Sequence, residues 1–322
     1  MDRRADGKTV LEILRRELGL SRAHIKHLKF LDSGIAVNGE RVTVRYILKE
    51  GDILSLEVED IAPSEELLAV DIPLRIAYED DDVAVPDKPS DMPTHPSHDH
   101  YDDTVANALA YRYAQRGIPF IFRPVNRLDR NTSGLLLIAK NRIAASRLTD
   151  SMKRGEIRKL YFAILDGVPD KPCGKIETYM RRTAESIIVR ENCGEGEGGD
   201  YALTVYRVIC ERDGRALVCA SPRTGRTHQL RVHFAGLGAP ILGDDLYGSA
   251  SEHISRHALH SAYLSFPHPS DKELCEVFSP LPEDMSAAAQ ALFGEALPDT
   301  DALERICYDF LGDAYENPLF NN

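Results

Sequence analysis

Apolar residues first recur with helical spacing at Val10, Leu11, Leu14 and Leu18, which predicts a helix ended by Gly19. Ser21 is placed to cap a second helix over residues 22–30. Gly34-Ile35-Ala36-Val37-Asn38-Gly39 then reads as a short strand and an Asn-Gly hairpin turn. Val42 and Val44 continue the strand alternation, and Gly51-Asp52 turns the chain into Ile53-Leu54-Ser55-Leu56. Residues 61–73, with Pro63 and Pro73 near the two ends, read as a linker.

Beyond the linker, strand signals dominate. Leu74-Arg75-Ile76-Ala77-Tyr78 opens a second unit, and Val83-Ala84-Val85 is a short strand closed by Lys88-Pro89. Residues 104–115 have helical composition, with Asp103 as candidate cap. Leu135-Leu136-Leu137-Ile138-Ala139 is apolar without a break, as a buried strand would be, and residues 159–165 form a third strand. Residues 201–209 and 215–220 form an antiparallel pair across Asp213-Gly214, and the glycine-rich residues 192–199 read as a flexible loop. Residues 287–293 and 302–310 are predicted helices. The expected fold class is therefore α+β, with a mixed, largely antiparallel sheet. The expected division is 1–60, a linker at 61–73, a core at 74–281 and a helical extension at 282–322.

Charge changes this picture. The 322 residues carry a net charge of -12, which taken whole argues against a polyanionic partner. The distribution reverses that. Residues 283–322 hold nine acidic side chains against Arg305, whereas residues 123–160 hold ten basic against three acidic. Residues 1–30 hold eight basic against four acidic. Two basic segments are what a surface facing nucleic acid needs. Hydrophobic content is 43% with no long apolar run, so no membrane span is expected, and the N-terminus lacks the apolar stretch of a signal peptide. A cytoplasmic monomer is expected. Cys173, Cys193, Cys210, Cys219, Cys275 and Cys307 are too scattered for a zinc site and too few for a disulfide scaffold, so reduced thiols are expected.

The chemistry concentrates in Asn126-Arg127-Leu128-Asp129-Arg130-Asn131-Thr132-Ser133-Gly134-Leu135. An acid sits between two arginines in a polar turn, just before an apolar strand that can serve as a rigid platform. Flanking arginines favour an ionised, nucleophilic carboxylate. Taken alone, an aspartate between arginines is most often a surface ion pair. However, the run Arg-Leu-Asp-x-x-Thr-Ser-Gly-Leu-Leu resembles the signature of the Rlu-type family of pseudouridine synthases, named for the large ribosomal particle. Further segments match that family in order: Lys159-Leu160-Tyr161-Phe162-Ala163, then residues 224–233 (Thr-Gly-Arg-Thr-His-Gln-Leu-Arg-Val-His), then Pro240-Ile241-Leu242-Gly243-Asp244 with Tyr247-Gly248, and Leu259-His260-Ser261 before Phe266-Pro267. The first 60 residues resemble the small RNA-binding domain named after the fourth ribosomal small-subunit protein. In that domain a basic second helix, here with Arg22, Lys26 and Lys29, lies against RNA.

The resemblance implies roles. Asp129 would attack a target uridine and open its glycosidic bond; the freed uracil would rotate and rejoin the ribose through carbon 5. Tyr161 would stack on the flipped base and could take part in the final deprotonation. Arg231 would pair with Asp129 and hold it ionised. Arg127 would fill the gap the base leaves in its stack. Asn126, Arg226, Thr227, His228 and Gln229 would contact RNA. Asn126 stands where the family often has histidine, so it cannot carry a proton near neutral pH. It can hydrogen-bond to RNA or hold the turn. The isomerisation is redox-neutral, and no cofactor is expected.

Two histidine groups, His95, His98 and His100 beside Asp99, Asp102 and Asp103, and His253, His257 and His260, fit no metal pattern. The expected partner is structured ribosomal RNA, with transfer RNA as the other choice. The rival functions are a non-catalytic RNA-binding or assembly factor and a hydrolase. A hydrolase would need a second carboxylate, and residues 216–235 contain none. The acidic tail either covers an apolar surface or repels other polyanions.

Overall fold

A computed structural model describes residues 5–18, 20, 22–31, 33–56, 67–186 and 188–316. The expected terminator Gly19, the expected cap Ser21 and much of the linker lie outside the described residues. Helix α1 (Val10–Glu12) starts in a capping box between Thr9 and Glu12 and widens into a looser helical turn over Ile13–Glu17. Helix α2 (Arg22–Leu28) buries Ile25 and Leu28 and leaves Arg22, Lys26 and, just beyond it, Lys29 exposed. Strands β1 (Ile35–Val37), β2 (Glu40–Arg41) and β3 (Leu54–Leu56) form a small antiparallel sheet in the order β2-β1-β3. Asn38 and Gly39 both take positive φ, 51° and 84°, as a tight hairpin requires. The Asn38 side chain receives Ile53 N–H and donates to Asp52, which ties the turn to the following loop. β2 stops at Arg41, sooner than the Val42 and Val44 alternation suggests, although Val44 is buried. Val10, Ile13, Leu14, Ile25, Leu28, Ile35 and Val37 share one apolar cluster.

The remaining strands are β4 (Arg75–Glu79), β5 (Val83–Lys88), β6 (Ser133–Leu135), β7 (Ile138–Ala139), β8 (Arg158–Leu165), β9 (Cys173–Arg182), β10 (Arg190–Cys193), β11 (Asp200–Arg212), β12 (Arg215–Pro222), β13 (Leu259–Pro267) and β14 (Leu274–Phe278). They build one sheet in the order β10-β9-β11-β12-β8-β13-β6-β5-β4, with β14 paired to β13 and β7 to β5. The α+β expectation holds: every pairing is antiparallel except β6 with β13. At that parallel contact Gly134 has φ 108°, and a Cβ there would run into the Ser261 carbonyl, so glycine is required. The β11–β12 pair turns at Asp213 and Gly214, as expected.

Three expectations change. The apolar run 135–139 is two strands although both pair with β5 in one register: opposite Leu136 stands Pro86, which has no N–H to return. Leu136 N–H bonds Pro86 O, and Leu137 N–H bonds the side chain of Asn126. Helix α3 (Val105–Ala114) is capped by Thr104 in a box with Asn107, while Asp103 pairs with His100. The glycine-rich loop joins β10 to β11, and β9 and β10 themselves escaped notice because they alternate only weakly.

Helix α4 (Arg142–Lys153) packs on β7 and β13, and helix α5 (Gln229–Gly236) follows β12. At the C-terminal end, α6 (Glu283–Phe293) and α7 (Thr300–Glu316) cover the sheet. Met285, Ala289, Phe293, Cys307, Phe310 and Leu311 belong to the same apolar cluster as Phe162, Val205 and Val218. The acidic segment thus covers an apolar surface, the first of the two readings drawn from its sequence.

Candidate active site

The segment 127–133 is the turn that leads into β6, and its backbone is held almost residue by residue. Thr94 Oγ1 donates to Leu128 O and accepts from Leu128 N. Lys88 Nζ donates to Arg130 O, and also to Pro89 O and Met92 O, each at 2.8 Å. Arg256 donates to Asn131 O at 3.0 Å and to Ser133 Oγ at 3.2 Å, and a two-point contact with Asp284 of α6 holds it in turn. His257 bonds Thr132 Oγ1 at 2.8 Å, and His260 bonds Ser133 Oγ at 3.0 Å. Burial pushes His257 down to about 3 and His260 to about 4, so both are neutral near pH 7. Two of the histidines singled out in sequence, His257 and His260, are therefore braces of this turn.

Lys88 is 1% exposed. Burial first, and then the Arg256 charge, push its pKa down to about 7. Lys88→Met would leave three inward-facing carbonyls without their donor. It is expected to destabilise the fold by about 2–3 kcal/mol. The change would appear as a lower urea midpoint with an unchanged slope; an unchanged midpoint would show that the clamp is not needed.

Asp129 stands at the centre of the turn, with its side chain 29% exposed in a cleft of about 590 Å³. Among the described residues its carboxylate meets the Arg231 guanidinium at 3.8 Å and the His228 ring at 4.0 Å. The neighbouring arginines do not serve it: Arg130 pairs with Asp91 at 2.7 Å, and Arg127 projects from the rim. The ion partner of Asp129 thus comes from a distant segment.

Arg231 lies on α5, a helix the sequence did not announce. It is 4% exposed and grips Asp244 at two points, 2.7 Å each, with Asp245 at 3.1 Å. Asp244 is fully buried and also accepts from Leu246 N and Tyr247 N. Burial would raise its carboxyl, but the Arg231 hydrogen bonds and charge outweigh that, and it ends below its ordinary value. The Tyr247 ring lies 5.2 Å from the Arg231 guanidinium, and its hydroxyl meets His228 Nδ1 at 2.9 Å. His228 starts α5 in a left-handed conformation, φ 59°, which turns its ring toward Asp129. Burial pushes its pKa down, and the Asp129 charge partly opposes this.

Tyr161 projects from β8 beneath the turn and is 7% exposed. Burial and the Asp129 charge raise its hydroxyl well above the ordinary tyrosine value, against a lowering by Ser261. Thr227 and Arg226 lie on the exposed rim, and Arg226 Nε donates to Tyr201 O. Two residues expected to contact RNA are instead committed to the protein. Gln229 accepts from Thr224 Oγ1 and Arg226 N and donates to Leu203 O and Thr204 Oγ1. Asn126 is buried and its Oδ1 holds Leu137 N–H, so it holds the turn. Arg22, Lys26 and Lys29 do not line the cleft.

The arrangement presents an accessible carboxylate, a buried cation that orients it and an aromatic floor. The family profile described as RNA pseudouridylate synthase matches residues 82–236. The chain is 40% identical to YjbO of Bacillus subtilis, named an uncharacterized RNA pseudouridine synthase, over 84% of this chain and 94% of that protein. It is 35% identical to ribosomal large subunit pseudouridine synthase D of Vibrio cholerae, over 86% of this chain and 88% of that protein. Among solved structures, human RNA pseudouridylate synthase domain containing 1 aligns with a TM-score of 0.54 and 30% identity, covering 74% of this chain and all of that one.

Proposed function

The chain belongs to the RNA pseudouridine synthase family of isomerases, and from that premise we propose that Asp129 attacks a uridine flipped out of ribosomal RNA. The observation that supports this reading best is the Asp129 carboxylate itself: open to the cleft, 3.8 Å from Arg231, on a turn clamped from four sides. A nucleophile gains most when its backbone cannot drift, because small misplacements cost large factors in rate. Arg231 fixes the carboxylate's direction, and Asp244 keeps the guanidinium in place. Tyr161 provides the stacking floor. Its raised hydroxyl pKa keeps it protonated near neutral pH, so it serves as a platform and donor rather than as a resting base. Arg127, exposed at the rim, takes the place of the flipped base.

The hydrolase reading loses support for a structural reason. A second carboxylate, Asp244, does stand near Asp129, but it is fully buried and bonded to Arg231, and so cannot act as acid or base on a substrate. The first 60 residues serve as an RNA-binding unit: α2 sets Arg22, Lys26 and Lys29 on its exposed side, where phosphates can reach them. Residues 74–281 form the catalytic unit with α6 and α7 as its cover. No helix among the described residues is long and apolar enough to cross a membrane, and an RNA substrate supports a cytoplasmic location.

Ribosomal RNA is favoured over transfer RNA because relatives covering most of this chain are named for the large ribosomal subunit. Pseudouridine mapping in cells with and without the gene tests this. Loss of one or a few ribosomal sites, restored by the wild-type gene, is expected. Loss confined to transfer RNA would move the substrate assignment, and no change in any RNA would favour the non-catalytic binding factor.

A further inference from the structure

Lys159 lies two residues before Tyr161 on β8, so both side chains leave the same face of the strand. Both line the Asp129 cleft. Three arginines nearby are balanced by acids, Arg231 by Asp244 and Asp245, Arg130 by Asp91 and Arg256 by Asp284, and Lys88 is held by three carbonyls. Lys159 differs. Among the described residues it forms no ion pair and its ammonium makes no hydrogen bond, and burial pushes its pKa down with no carboxylate opposing it. A half-buried ammonium with no counter-charge, in a cleft open to ligands, is available to an anionic group. The surrounding wall is also cationic. Arg127 and Arg226 flank the mouth.

We propose that Lys159 is the subsite for a backbone phosphate next to the flipped uridine, holding that nucleotide so that its ribose faces Asp129. The inference rests on the isomerase reading above. The Cα atoms of Lys159 and Tyr161 are about 7 Å apart along an extended strand. That is comparable with the separation between a nucleotide's base and its own phosphates, so a base on Tyr161 brings a phosphate within reach of the Lys159 stem. A full anionic charge answers an unpaired ammonium better than the partial charge of a uracil carbonyl.

The test uses the full chain and ribosomal RNA extracted from cells lacking the gene, labelled with tritium at uridine carbon 5. Lys159→Met keeps the stem and removes the charge, and thermal melting confirms that it folds. It is expected to raise KM about tenfold with kcat within about twofold. The slope of log affinity against log salt should become shallower by about 0.7, the share of one phosphate on a single strand. Lys159→Arg should restore that slope. A fall in kcat with KM and salt slope unchanged would overturn the proposal and make Lys159 a contact of the base or a support of Tyr161. Filter binding of the same RNA reads the slope whether or not tritium is released. A wild-type protein that binds but releases nothing would therefore defeat the isomerase reading while leaving the phosphate contact decided by its own measurement.

Discussion

Asp129→Asn is expected to lower tritium release from labelled ribosomal RNA by about 10⁴-fold, the scale on which loss of a nucleophile is felt. The substitution is nearly isosteric. Among the described residues the carboxylate makes two long contacts, to the Arg231 guanidinium and the His228 ring, so little folding energy depends on it. Its turn is held through backbone carbonyls and neighbouring side chains, none of which the change removes. Stability should shift by about 0.5 kcal/mol or less. RNA affinity should remain within about threefold, since the cations around the cleft are intact. Loss of turnover with binding and stability preserved is the pattern of a group that acts in the reaction. Retention of activity within tenfold would remove Asp129 from the chemistry and reopen the choice of nucleophile.

The second large effect is expected from a residue that does not face the substrate. Asp244→Asn keeps the shape but cannot accept both Arg231 contacts together with Leu246 N and Tyr247 N. It leaves a buried guanidinium short of its main counter-charge. Breaking a buried pair from one side costs about 3–5 kcal/mol, a large part of the roughly 5–15 kcal/mol that holds a domain folded. Urea unfolding at pH 7 should show that loss. Activity should fall as well, because Arg231 and Tyr247 both lose their anchor and His228 leans on Tyr247. The pH dependence gives an internal check. The Asp244 carboxyl lies below its ordinary 3.8 in the folded protein. Its stabilising contribution is therefore complete above pH 3.8 and disappears as pH falls through the lower folded value. Wild type and variant should converge in strong acid and differ most near neutrality. A constant gap between them across that range would show that the cost is steric rather than electrostatic.

What could be read from the chain divides along a physical line. Asp129, Tyr161 and Arg231 stand out because chemistry, local charge and ordered motifs coincide there, and the structure sets all three on one cleft. The braces behind them carry no local signal. Lys88 looks like the end of a strand, and its three carbonyl acceptors become visible only when residues 92 and 130 fold back onto it. Arg256 is one arginine among many until Asn131 and Asp284 are placed beside it. Asn126 and Gln229 show the opposite error. A polar residue inside a substrate-binding motif suggests a contact with substrate, yet Gln229 spends its amide on protein groups around it and Asn126 spends its Oδ1 on Leu137 N–H. Helix α5 was hidden for a similar reason. It is eight residues long, opens on a left-handed histidine and mixes buried polar with apolar side chains, so no amphipathic period stands out.

The link from Asp284 through Arg256 to the turn carrying Asp129 bears on the timing of synthesis. Asp284 comes 155 positions after Asp129 in the chain, so the turn leaves the ribosome long before its outermost brace exists. Elongation at roughly 5–20 residues per second makes that delay about 8–30 seconds. During it, strand β6 also waits for its parallel neighbour β13, and the sheet waits for the two helices that shield its apolar face. The polypeptide thus gains a rigid reactive centre only after residue 284 has been made, and a nascent chain shorter than that, still beside ribosomal RNA, is not yet armed to modify it.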